Sequence, residues 1–463
     1  MSPVLLIVVP LLTAFISIMV KKFSAYLLIT VVLFNLIILF FLDNGFVFLG
    51  GFDQTITNNV LGINLLLDTY SRIALWLING LILIIACLNI KNYKPYSSIL
   101  LLATAGLNGL ILTNDLFNFF VFLEISGIAA YLITSSNKKP VSTFHYIVMG
   151  ILGSSLFLFG VAILYAMTGT LNMVIMADRI QTANNYKEFI LPFILMFIGL
   201  GVEVKILPFN SWVKGVLSHS NTFSGPMIAS VYAGAMSFVM GRLITNIFSF
   251  EGTLLVVVTA ILVLGIIVGD LMAFSSSKVR EILLFSSIAQ AGIIALLFVN
   301  GIIIWAVYLI IANALSKAVM FFIINKASKV IGSDETDYLK GLFINNKLIG
   351  LIFTLVTLSV MGLPLLAGFI IKLNFLIELA SLGQITIIII LLTASIIEGI
   401  YFVRLIIKLW YQGENTINVK YNLSYKFIFA LIAVALLFFG TYSTPLNKLD
   451  NSIDTISEVV ING

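Results

Sequence analysis

The sequence predicts an all-α polytopic membrane protein of about fourteen transmembrane helices, with two inverted five-helix repeats that each contain a broken helix. Three observations support that reading. The chain is 60% hydrophobic and 10% charged over 463 residues, where soluble globular domains carry about 25% charged residues. Apolar runs of roughly 18 residues or more recur from end to end, each long enough to cross a bilayer as a helix. Basic residues gather in alternate loops, as they do when a chain threads repeatedly through a membrane.

Taken in order, the spans fall near residues 3–20, 24–42, 69–89, 97–113, 115–135, 142–168, 187–212, 223–246, 251–272, 279–299, 302–325, 344–378, 382–410 and 425–443. The first run is followed at once by the second, so it reads as a span and not as a cleaved signal peptide. The longer polar connections lie near 43–68, 169–186, 326–343 and 411–424, and Thr170 to Ala183 reads as a short helix along the interface. Odd-numbered loops hold sixteen Lys and Arg residues, from Lys21 and Lys22 to Lys408, Lys420 and Lys426. The even loops, outer span ends and tail hold five: Arg72, Arg179, Lys187, Arg242 and Lys448. A missed span would scramble this alternation downstream of the error. The asymmetry puts the odd loops in the cytoplasm and both termini outside; the expected location is the plasma membrane of a prokaryote. It also accounts for the net charge of +5 without an anionic partner. No basic cluster interleaved with aromatics, of the kind that binds nucleic acid, is present. The single cysteine, Cys87, lies mid-span and excludes an internal disulfide or a cysteine-ligated iron–sulfur cluster.

Two spans carry internal breaks. One reads GLGVEVKILPFNSW, with Lys205 and Pro208; the other reads VMGLPLLAGFIIKLNF, with Gly362, Pro364, Gly368 and Lys372. Glycine and proline interrupt the helical hydrogen-bond ladder, and the freed backbone groups need partners in protein or water. Two interrupted, lysine-bearing spans in corresponding positions are the sign of an inverted-repeat transporter. The domain reading is therefore residues 1–96 for spans 1–3, 97–246 for the first repeat, 251–410 for the second, and 411–463 for a loop, the last span and a short external tail.

Charged residues stand inside these spans: Glu124, Lys205, Lys317, Lys372 and Glu398. Each charge at mid-bilayer costs at least ~2.5–3.5 kcal/mol, so such residues persist where they face a hydrated cavity or one another. Whether a buried lysine keeps its proton depends on the carboxylate beside it. Movement of Glu124 toward or away from Lys205 would make the lysine hold or release a proton, and a chain of such groups joined by water would relay protons. Glu203, two residues before Lys205, points elsewhere on a regular helix. Asp270, near the cytoplasmic end of its span, reads as solvated. His219, in a loop after the first broken span, suits proton entry because histidine titrates near neutral pH; His145, opening the sixth span, is a weaker candidate.

Several of these stretches look familiar together. NDLFNFFVFLE (Asn114 to Glu124), VKILPFNSW, KVREILLFSSIAQAG (Lys278 to Gly292), NALSKAVMFF (Asn313 to Phe322) and GLPLLAGFIIK (Gly362 to Lys372) resemble the antiporter-like membrane subunits. That family includes the proton-pumping subunits of respiratory complex I, the large subunits of Mrp-type sodium/proton antiporters, and their counterparts in membrane-bound hydrogenases and sulfane-sulfur reductases. The resemblance spans about residues 60–410 and implies fourteen spans with two inverted repeats. It places the family's glutamate on Glu124, its broken-helix lysine on Lys205, its central second-repeat lysine on Lys317 and its channel-ending residue on Lys372. Glu398 has no family counterpart in this reading. Three departures stand out: Phe238 where the eighth span commonly has lysine, WVKGV (Trp212 to Val216) for WLPDA, and Lys278 for an aspartate. The long lateral helix of the largest subunits is not expected here.

The resemblance implies an ion-translocating subunit, for H+ and/or Na+, of a multisubunit complex of the hydrogenase, sulfur-reductase or Mrp type. Its partners would be further antiporter-like and small Mrp-like membrane subunits within the lipid bilayer. A transport-inactive spacer subunit, favoured by Phe238, and a self-sufficient solute transporter are the competing readings. No dinucleotide glycine fingerprint or flavin motif is present, so no cofactor is expected on this chain. Iron–sulfur clusters and a metal centre would sit on partner subunits if the parent is a redox complex.

Overall fold

The computed structural model describes residues 2–50, 62–90, 96–183, 186–248, 252–411 and 419–441. Seventeen helices are named here in chain order: α1 Leu5–Met19, α2 Ser24–Ile38, α3 Thr69–Leu88, α4 Ser97–Leu112, α5 Leu116–Ser135, α6 Pro140–Thr168, α7 Met173–Gln181, α8 Ile190–Val204 and α9 Ser211–Leu217. They continue with α10 Ser224–Asn246, α11 Gly252–Ser275, α12 Val279–Val299, α13 Ile303–Ile331, α14 Lys347–Met361, α15 Ala367–Ser381, α16 Ile385–Trp410 and α17 Leu423–Thr441. Among the described residues, nine helices are long and apolar enough to cross a membrane, and α1, α2, α4 and α14 are shorter apolar helices.

The chain divides into two compact units: Met1–Val204 with Ala235–Leu255, and Lys205–Gly234 with Val256–Thr455. In the first, the N-terminal helices are joined by a ladder of buried asparagines. Pro10 has no N–H, which leaves the carbonyl of Leu6 without its helical donor. The side-chain amide of Asn108 on α4 donates to that carbonyl at 2.9 Å. Asn79 on α3 donates to Asn108 at 2.9 Å, and Asn35 on α2 donates to Asn79 at 3.0 Å. All three asparagines are fully buried, so each bond satisfies a group that lipid or apolar packing would leave unpaired.

The all-α expectation needs one correction. Strands β1 (Gly45–Leu49) and β2 (Ile63–Leu67) form an antiparallel pair within the connection read as a polar loop. GFVFL and INLLL are short and rich in β-branched, aromatic and aliphatic residues, which suits strand pairing more than a solvated loop. β2 also anchors the start of α5 through Asn114, whose N–H donates to the Asn64 carbonyl at 2.8 Å.

Helices α6 and α8 pack through small residues. A Cβ added to Gly153 would lie 2.8 Å from the Gly199 carbonyl, closer than any side chain tolerates. This close approach brings Glu203, one turn beyond Gly199 on α8, within reach of Tyr146, two turns before Gly153 on α6.

Both breaks expected from the sequence are present. The helix ending at Val204 is followed by Lys205 at φ 71°, and α9 begins only at Ser211. α14 ends at Met361, Gly362 takes φ 83° and Leu365 φ 73°, and α15 resumes at Ala367. One irregularity has no signal in the sequence: α10 opens with a π-helical turn over Met227–Tyr232. The helix expected near Thr170 to Ala183 is α7, capped by Asn172, whose side chain accepts from the Val174 and Ile175 N–H groups.

Candidate functional site

In the second unit, the polar interior is organised by α12. This helix is almost wholly buried, so its few polar side chains must find partners. Ser287 accepts from the ammonium of Lys205 at 3.0 Å. One position earlier, Ser286 accepts from Lys317 at 2.8 Å, and the carbonyl of Leu283 accepts from the same ammonium at 3.2 Å. One turn further on, Gln290 donates to Glu398 at 2.9 Å. Lys205 and Lys317 are 2% and 0% exposed. Lys317 also stands 5.7 Å from the centroid of the Phe402 ring.

Lys372 lies one turn into α15. Its ammonium donates to Glu398 at 2.6 Å and to the carbonyl of Met361 at 3.1 Å. That carbonyl ends α14 and is freed by the helix break, so the lysine satisfies a backbone group that the break exposes. Glu398, singled out by its mid-span position alone, proves to be the carboxylate partner of Lys372. Asp270 corrects the reading of a solvated group. It is 3% exposed and accepts from the hydroxyl of Tyr401 at 3.0 Å.

A cavity of about 10 Å³ lies beside Lys372, lined by Gln290, Asn313, Ser316 and Ser359 among others. Gln290 Oε1, Asn313 Oδ1 and Ser316 Oγ are buried without a hydrogen-bond partner among the described residues. A cavity of that size with several polar groups suits one water molecule.

His219 is exposed, and its Nδ1 lies 3.0 Å from the Gly215 carbonyl and 3.1 Å from Ser218 Oγ. The structure does not join it to the buried lysines. Its loop is tied to α12 by Arg280, which donates to the Ser218 carbonyl at 3.1 Å and to Asn325 at 2.8 Å.

In the first unit, Glu124 is half-buried on α5. Glu203 is buried and accepts from the hydroxyl of Tyr146 at 3.2 Å. Phe238 packs edge-to-face on Tyr70 with centroids 5.3 Å apart. Its carbonyl accepts from the Tyr70 hydroxyl at 2.6 Å. One turn on, Arg242 bonds both carboxylate oxygens of Asp68, at 2.7 and 2.9 Å. Sequence reasoning missed Ser286, Ser287 and Gln290 as site residues, although they lie within the KVREILLFSSIAQAG stretch that carries part of the resemblance. Tyr146 and Tyr401 leave no signal that separates them from ordinary interior aromatics.

Buried lysines and carboxylates, held by hydroxyls, amides or opened carbonyls on membrane-length helices and at helix breaks, define a polytopic membrane protein organised around interior charge. The chain belongs to the NADH:quinone oxidoreductase/Mrp antiporter transmembrane family, whose pattern matches residues 113–398. It is 28% identical over 428 residues to NADH-quinone oxidoreductase subunit N of Dehalococcoides mccartyi, covering 84% of this chain and 87% of that one. To a Na(+)/H(+) antiporter protein of Bacillus subtilis it is 26% identical over 373 residues, 77% of this chain and 74% of the other. Its structure matches a chain of the membrane-bound sulfane sulfur reductase, an archaeal respiratory membrane complex, with a TM-score of 0.89, 27% identity and 99% of both chains covered. A chain of the Mrp complex from Dietzia sp. DQ12-45-1b shares the fold, with a TM-score of 0.87, 21% identity, and 97% of this chain and 96% of that one covered.

Proposed function

We propose that this chain is an ion-translocating subunit, for H+ and/or Na+, of a multisubunit membrane complex of the hydrogenase, sulfur-reductase or Mrp type. In this reading it crosses a prokaryotic plasma membrane fourteen times, with two inverted repeats and both termini outside, beside other membrane subunits. The observation that supports it best is the series on α12, where Ser287, Ser286 and Gln290 contact Lys205, Lys317 and Glu398 in turn. Charges at this depth cost too much to be retained as packing, and their partners are groups that can exchange hydrogen bonds as a proton or cation moves. Glu124 and Lys205 act in the first half of the path, Lys317, Lys372 and Glu398 in the second, and His219 at the entry. The test is transport by the assembled complex in vesicles. Lys205→Ala and Glu124→Ala should each abolish it with assembly intact, and wild-type transport by both variants would overturn the proposal.

A second reading, a spacer that has lost transport, draws on the packing of Phe238 against Tyr70, which fills with an aromatic ring a position where the family commonly carries lysine. Under it, neutralising the interior charges would impair assembly alone.

A further inference from the structure

Glu203 is a buried carboxyl that the lysine series leaves unused. Among the described residues it has no ion-pair partner. Its polar neighbours within the first unit are tyrosine hydroxyls. Tyr146 donates to one oxygen at 3.2 Å. The other oxygen looks across the bare face of Gly150, where an added Cβ would lie 3.1 Å from Glu203 Oε1 and would overlap the hydroxyl of Tyr131. The Tyr131 hydroxyl also passes over Gly127, where a Cβ would lie 3.2 Å away. Two glycines on two helices thus keep open the space in which that hydroxyl lies near the carboxyl. The rings of Tyr131 and Tyr146 meet edge-to-face with centroids 4.7 Å apart, so the two tyrosines pack directly on one another. Glu124 lies two helical turns before Tyr131 on the same helix, α5.

From this geometry we infer that Glu203 is a proton-carrying residue of the first unit, exchanging its proton with Glu124 through the hydroxyls of Tyr146 and Tyr131. The inference rests on the proposed ion-translocating function and specifies H+ as the ion handled at this point. The balance is simple. Glu203 releases a proton as its O–H bond breaks. At each tyrosine the arriving proton binds an oxygen lone pair while the hydroxyl's own proton leaves for the next acceptor, so both tyrosines end neutral. Glu124 gains one proton for each that Glu203 loses.

The alternative is that the tyrosines only pack and Glu203 never changes protonation. Infrared spectroscopy of the assembled complex in membranes separates the two. A protonated-carboxyl C=O band that shifts on exchange into D2O is expected, lost in Glu203→Gln and moved in frequency in Tyr146→Phe, which removes a hydrogen-bond donor. Proton transport by Glu203→Gln should fall on the order of tenfold or more, and by Tyr131→Phe severalfold. An assembled Glu203→Gln complex with an unchanged band and wild-type proton transport would overturn the inference. If Glu203→Gln does not assemble, a band unmoved by Tyr146→Phe would overturn it equally. Normal transport in Lys205→Ala and Glu124→Ala would defeat the wider functional proposal and the exchange with Glu124 together, whereas transport lost in those two variants but kept in Glu203→Gln would defeat this inference alone.

Discussion

Lys372 and Glu398 form the shortest ion pair among the described residues of the second unit, 2.6 Å from ammonium to carboxylate, with both side chains buried. Neither residue stands alone: Gln290 holds the second carboxylate oxygen at 2.9 Å and the Met361 carbonyl takes another ammonium N–H at 3.1 Å. Removing one member leaves its partner charged in an apolar setting, which costs more than the pair itself is worth. Glu398→Leu and Lys372→Met should therefore each destabilise the protein by about 3–5 kcal/mol. The double replacement Lys372→Met with Glu398→Leu should recover most of that loss. Thermal unfolding of the single and double variants in one detergent closes the cycle, and additive effects would contradict a coupled pair.

Asp68 has two tasks. Its carboxylate caps α3 by accepting from the Ser71 N–H at 2.7 Å, and it neutralises Arg242. Asp68→Asn keeps an oxygen for the cap and loses the charge; Asp68→Ala loses both. The alanine variant should be the less stable by about 1 kcal/mol, the usual value of an N-cap. Equal melting temperatures for the two variants would mean that the cap contributes nothing here.

Lys205 combines a buried ammonium with a left-handed backbone, φ 71°. Side chains other than glycine disfavour that region. Lys205→Gly removes the ammonium and eases the backbone, whereas Lys205→Ala removes the ammonium alone. The glycine variant should be the more stable by up to about 1 kcal/mol, with transport lost in both. Denaturation paired with vesicle transport tests the two effects separately.

Asp337 lies in the loop before α14, where its carboxylate accepts from Lys408 at 3.0 Å. That hydrogen bond, and the charge of Lys408 behind it, hold the carboxyl below the ordinary value of 3.8. A carboxyl whose folded pKa is depressed adds stability above its unfolded pKa and loses it as pH falls through the folded one. The side chain is 66% exposed, so the contribution is screened and lies within ~0–1 kcal/mol. Asp337→Asn should lower stability slightly at neutral pH, and the difference from the parent protein should vanish in acid below pH 3.8. A difference that persists there would point to packing instead of charge.

The sequence alone determined the helical, membrane-spanning character, the two broken helices and most of the interior charges. The reason is local: a lysine such as Lys317 inside an unbroken apolar run is conspicuous without knowledge of its neighbours, and Gly362 with Pro364 interrupts a helix wherever the helix packs. Tertiary structure alone decided the partners. Glu398 and Lys372 are 26 residues apart in sequence, and Glu203 and Tyr146 are 57 apart; no periodicity relates them. Asp270 looked solvated because its place near a span end says nothing of the Tyr401 hydroxyl waiting on another helix. Serines and glutamines such as Ser286, Ser287 and Gln290 are common in helices, and only packing showed that one buried face of α12 offers them to three separate charges.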